Sequence, residues 1–77
     1  MDLNRFIENI ADQFDETDPS EIKADTRFHE LEEYSSFIAL SIMAMVNEEY
    51  DVFLKGDDMR GAVTVEDLFN IVKSKAE

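Results

Sequence analysis

The chain contains no cysteine and no tryptophan, one proline, two glycines and a single histidine. The lack of cysteine excludes disulfides and thiolate metal sites, so non-covalent packing alone must hold 77 residues together. With no Cys partner and no second imidazole, His29 reads as an exposed loop residue, and no metal site is expected. No apolar run approaches the ~20 residues of a membrane span. The start Met1-Asp2-Leu3-Asn4 lacks the basic opening of a signal peptide, so the expectation is a cytoplasmic protein without membrane insertion. Basic residues are also scarce: seven Lys and Arg face nineteen Asp and Glu, a net charge of −12. Such a surface repels phosphate backbones and anionic lipid, which excludes nucleic acid as a partner. It is steered instead toward basic patches on other proteins.

What the chain does have is apolar content. Hydrophobic residues make up 44%, with six Phe and two Tyr, enough to argue for a packed core despite the charge. A domain of this size buries only about 60% of its unfolded surface, so that core is thin. There is no low-complexity tract, internal repeat or interior linker, and residues 1–77 read as one domain.

The apolar spacing predicts helices. Asp2 caps a first helix from about Leu3 to Phe14, with Leu3, Phe6, Ile7, Ile10 and Phe14 on one stripe. Asp15 to Tyr34 forms a long connection in which Asp18-Pro19 starts a short turn and Ile22 and Phe28 act as apolar pegs. A second helix begins at Ser35 or Ser36 and ends near Tyr50. Phe37, Leu40, Met43, Met45, Val46 and Tyr50 supply one apolar side of it. Ile38, Ala39, Ile42 and Ala44 extend that surface almost all round, the pattern of a buried central helix. A rival register threads Phe28, Leu31, Ser35, Ile38, Ile42 and Met45 along one helix from Thr26 to Tyr50. Asp57 or Asp58 caps a short turn that Gly61 ends. Thr64, with Asp67 at the third position, opens a last helix carrying Val65, Leu68, Phe69, Ile71 and Val72. The sum is an all-α bundle of three long helices and one short, with a long first loop.

The string Phe28-His29-Glu30-Leu31-Glu32-Glu33-Tyr34-Ser35-Ser36-Phe37, followed by Asn47-Glu48-Glu49-Tyr50 and Thr64-Val65-Glu66-Asp67, resembles the acyl carrier protein family of fatty-acid and polyketide synthesis. Nearly the whole chain, from about Leu3 to Val72, lies on that pattern. The resemblance implies an acyl-carrier-like four-helix bundle, monomeric, whose serine at the start of the second helix carries 4′-phosphopantetheine. Ser36 is the implied attachment residue, with Ser35 the second choice. Ser35 stands where the family has Asp, Phe37 where it has Leu, and Glu33 where it has an upstream Gly. The implied partners are a phosphopantetheinyl transferase and acyl-transferring or condensing enzymes with basic patches, docking on Glu48, Glu49 and Asp51. The implied acyl-pocket residues are Phe28, Ile42, Val46, Leu54, Met59 and Leu68.

The chemistry of the junction agrees with that implication. A helix amino end offers free N–H groups and partial positive charge to a phosphodiester. A serine with no neighbouring base is a poor nucleophile by itself, so the chain is expected to be a substrate of enzymes and to have no catalytic residues of its own. Carboxylates abound, but none is paired in sequence with His or Cys. The alternative is a small acidic helical adaptor that binds a basic partner and carries no prosthetic group.

Overall fold

The computed structural model describes all residues from Met1 to Glu77. Helix α1 (Leu3–Ala11) starts where the Asp2 carboxylate accepts the Asn4 N–H at 3.0 Å. It ends three residues short of the expected Phe14. There the bonding tightens to i−3, with Gln13 N–H donating to the Ile10 carbonyl and Phe14 N–H to that of Ala11. The tighter turn still delivers Phe14 to the core.

The connection to α2 is held at several points. Two 3-10 turns, Pro19–Glu21 and Phe28–Glu30, interrupt it, and both expected pegs, Ile22 and Phe28, are buried. Asp18 caps the first turn by accepting the Ser20 N–H. The stretch between the turns is tied to the last helix: the Thr26 carbonyl accepts Val65 N–H at 3.1 Å and the Ala24 carbonyl accepts Glu66 N–H at 2.9 Å. Glu33 fastens the other side. Its carboxylate accepts the backbone N–H groups of Asp15, Glu16 and Thr17 and the Thr17 hydroxyl, at 2.6–3.0 Å. A connection of this length keeps its shape because the Glu33 carboxylate satisfies its backbone donors at residues 15–17 and its own carbonyls at Ala24 and Thr26 satisfy the first donors of α4.

Helix α2 (Ser36–Tyr50) begins at the serine pair, so the single helix from Thr26 to Tyr50 does not form: Leu31 is extended. The rival pattern nonetheless marks the right seam, because Ile38, Ile42 and Met45 are buried, together with Val46. The expected apolar side is partly reversed. Phe37 is 74% exposed, Leu40 63% exposed, and Ala44 also faces water. Helix α2 is therefore not a central helix buried on all sides. It stops at Asp51, whose left-handed backbone (φ 56°) turns the chain while its N–H still reaches the Asn47 carbonyl.

Helix α3 (Gly56–Gly61) is capped by neither Asp57 nor Asp58. The cap residue is Lys55, and Asp58 reaches back to accept its N–H at 2.8 Å. A lysine side chain has no acceptor, so only half of a capping box exists. Helix α4 (Val65–Ala76) has the full box: Thr64 Oγ1 accepts Asp67 N–H, and the Asp67 carboxylate accepts the N–H groups of Thr64 and Val63. Lys75 near its end pairs with Asp58 at 3.3 Å.

The four helices form an all-α bundle, three longer and one short, 32 × 23 × 20 Å. Helix α4 is the one that packs against each of the other three. Its Val65, Leu68, Phe69 and Val72 are all buried. Phe6 meets Phe69 edge-on at 5.4 Å between ring centres and Tyr50 at 5.7 Å. The Tyr50 hydroxyl accepts a bond from the Asn9 amide at 2.9 Å, and no buried polar side-chain atom lacks a partner. No helix is long and apolar enough to cross a membrane.

Desolvation raises the Glu33 carboxyl, but the donors from Asp15, Thr17 and Glu16 outweigh it and hold it below its ordinary range. A carboxyl depressed on folding adds stability that is complete above its unfolded-state pKa and is lost as pH falls through the folded value. Glu33→Gln should therefore melt below the wild-type protein at pH 7. The gap should close on acidification below about pH 4, in thermal melts taken across that range.

Candidate functional site

The start of α2 divides its two serines between two tasks. Ser35 is extended (φ −154°, ψ 177°), its Oγ accepts Ile38 N–H at 3.3 Å, and its carbonyl accepts Ala39 N–H. It is the cap. Ser36, the first helical residue, is exposed; its hydroxyl makes no hydrogen bond, and neither its N–H nor that of Phe37 has a protein acceptor. Two free donors at the positive end of a helix favour an anion on that hydroxyl. The nearest carboxylate in sequence, Glu33, is committed to residues 15–17 and does not compete for these donors. The residues present therefore fit a phosphodiester at Ser36.

A groove of about 300 Å³ opens beside Ser36. Ala39 and Met43, one and two turns further along, form its α2 wall, and Gly56, Met59 and Arg60 of α3 form the other. His29 and Tyr34 close one end. His29 is exposed, as expected, but its ring is engaged. Its Nε2 stands 2.8 Å from the Met59 carbonyl and 3.0 Å from that of Ala62, so Nε2 carries the proton and donates to both. The ring lies against Phe28 (4.4 Å) and Tyr34 (4.9 Å), and burial pushes the Tyr34 phenol up. A histidine on the first connection thus clamps α3. Arg60 folds back toward Gly56 and pairs with Asp57; a methyl group on Gly56 would stand 3.2 Å from Arg60 Nη1. Glycine there leaves room for the guanidinium.

The other expected site residues separate. Phe28, Ile42, Val46, Leu54 and Leu68 are gathered in one core cluster and none lines a surface depression; Met59 alone belongs to both core and groove. Glu48, Glu49 and Asp51 are exposed at the far end of α2, about 20 Å from Ser36 at 1.5 Å per residue. Between them and Ser36 runs a stripe of residues expected in the core, Phe37, Leu40 and Ala44, three and four residues apart and all facing water. A helix apolar almost all round has no phase to show which side turns out, which is why the stripe was hidden. The groove was equally hidden, since its walls come from residues 29 to 60. A second, open depression of about 510 Å³ is lined by Glu16, Thr17, Glu21, Leu31, Glu32 and Glu33, of which Glu33 is committed to the backbone of residues 15–17. No cluster of His and carboxylates has a metal-holding arrangement.

The division of labour is measurable. Ser35→Ala should cost about 1 kcal/mol of stability through the lost cap. Ser36→Ala should stay within about 0.5 kcal/mol of wild type, as read from urea unfolding of the unmodified proteins.

Compared with protein-family models, with curated proteins and with solved structures, the chain matches none.

Proposed function

We propose that the chain is an acyl carrier protein that holds acyl groups as thioesters on a 4′-phosphopantetheine arm attached to Ser36. On this reading it presents them to partner enzymes of fatty-acid, lipid or polyketide-type synthesis in the cytoplasm. The observation that carries the reading is the exposed, unbonded Ser36 hydroxyl at the first position of α2, beside two free N–H groups and a groove. The arm supplies a thiol, which the chain otherwise lacks. Ser36 has no base within its hydrogen-bond network, so the transferase must supply both base and metal. The carrier is then a substrate of enzymes and not itself an enzyme. Ser35 in place of the family's Asp fits this reading too. Serine and aspartate are near-equivalent caps, so the exchange preserves the helix start and removes one charge beside the attachment hydroxyl.

Partners of such a carrier would meet α2. Phe37, Leu40 and Ala44 lead from Ser36 toward Glu48, with Glu49 and Asp51 beyond, and α2 carries no Lys or Arg. An apolar stripe ending in acid suits a partner with an apolar socket and a basic rim. A second copy of this chain would bring another −12 and be repelled, in keeping with a monomer. The same stripe favours a second reading, an acidic helical adaptor with no prosthetic group, since exposed Phe37 and Leu40 bind a partner equally well without one.

Intact-mass analysis after incubation with coenzyme A and a promiscuous transferase separates the readings. The carrier gains one phosphopantetheine, and Ser36→Ala abolishes the gain; no gain with either a native or a promiscuous transferase would leave the adaptor. Docking has its own signature. Reversing Glu48 and Glu49 to lysine and neutralising Asp51 to asparagine, which tolerates the left-handed backbone there, should slow association with the transferase at least about tenfold at low salt and flatten its salt dependence. Phe37→Ser should chiefly raise the dissociation rate. Both variants should keep the wild-type circular dichroism spectrum, since all four side chains face water.

A further inference from the structure

The core leaves no room beneath the tether. The residues that the resemblance implies as an acyl pocket are packed against one another: Phe28 and Leu68 are 1% exposed, and Ile42 and Val46 are wholly buried. The same core cluster holds the Phe6–Phe69 ring pair, and Phe28 meets Tyr34, at 5.4 and 5.6 Å between ring centres. Only two depressions exist, both open to solvent, and neither reaches those four residues.

Parting the helices to make room is opposed at both ends of the natural opening. His29 donates to the Met59 and Ala62 carbonyls and holds α3 against the turn before α2. The Thr26 and Ala24 carbonyls hold the start of α4. A close-packed interior also resists inserted methylenes, because its side chains must leave their preferred rotamers to admit them.

What lies beside Ser36 is the open groove. At about 300 Å³ it sits at the lower end of ligand-site volumes. Its apolar strip of Ala39, Met43 and Met59 is short, and its rim carries two side-chain donors, the Arg60 guanidinium and the Tyr34 phenol, while His29 spends its N–H on the Met59 and Ala62 carbonyls. A long hydrocarbon there would leave most of its surface in water, whereas a group of a few carbons bearing carbonyl or hydroxyl oxygens would find both an apolar strip and donors.

We infer that this chain carries short or oxygen-bearing acyl groups in the open groove between α2 and α3, and does not bury long saturated chains in its core. The inference rests on the carrier reading and narrows its substrate class. The test loads Ser36 from acetyl-, acetoacetyl-, octanoyl- and dodecanoyl-coenzyme A with a promiscuous transferase, and intact mass verifies each product. Retention on a hydrophobic-interaction column should rise steadily from acetyl to dodecanoyl, because an unburied chain presents every added methylene to the matrix. Methyl NMR signals of Ala39, Met43 and Met59 should move with the acetoacetyl group. Those of Ile42, Val46 and Leu68 should stay in place with every chain, and the melting temperature should not climb with length. Flat retention with length, together with shifts at Ile42, Val46 and Leu68, would overturn the inference while leaving the carrier reading intact. Failure of every coenzyme A derivative to add mass at Ser36 would overturn both.

Discussion

The apolar face of α4 is the surface on which the rest of the molecule depends. Val65, Leu68, Phe69 and Val72 follow a helical repeat and are all buried, and each of the other helices closes on this one wall. The helix also anchors a segment with no regular structure of its own. Its first two N–H groups would be orphans in isolation, and the connection between α1 and α2 supplies their acceptors at Thr26 and Ala24. One exchange thus satisfies the end of a helix and fixes a long loop. In a domain this small, with no disulfide and a thin core, such polar ties replace covalent ones.

The second organising constraint is the surplus of acid. Several carboxylates act as structural acceptors: Glu33 gathers residues 15–17, Asp58 fastens Lys55, Asp67 closes the box at Thr64, and Asp18 caps a turn. Backbone donors hold each of the last three below the ordinary carboxylate range. The acids at the end of α2 make no such bonds and face water, so their charge is available to a partner. Charge that looks uniform in composition is divided in space between staples and surface.

The start of α2 shows how local chemistry and tertiary position combine. A serine pair ahead of an apolar run announces a helix start, and the cap at Ser35 follows from backbone donors that need an acceptor. That one residue caps leaves its neighbour free, which makes Ser36 the better candidate of the two. Its setting, however, comes from the first connection and from α3. His29 reaches α3 from the first connection, Gly56 makes space for Arg60, and Met59 turns from core to groove floor. None of these residues carries a local signal, because each owes its role to a neighbour distant in sequence.

The sequence by itself determined the number and type of helices, the caps at Asp2 and Thr64, the pegs Ile22 and Phe28, and the start of α2 at the serine pair. These rest on interactions within a few residues, on periodicity and on the pairing of side-chain acceptors with helix donors. Only the tertiary structure decided which side of α2 faces out. Fifteen residues with scarcely a polar one among the first eleven have no amphipathic phase, and the orientation went to the seam of Ile38, Ile42, Met45 and Val46 because that seam fits the wall made by α4. The same choice put Phe37 and Leu40 into water, closed the core beneath Ser36, and left a shallow groove beside it.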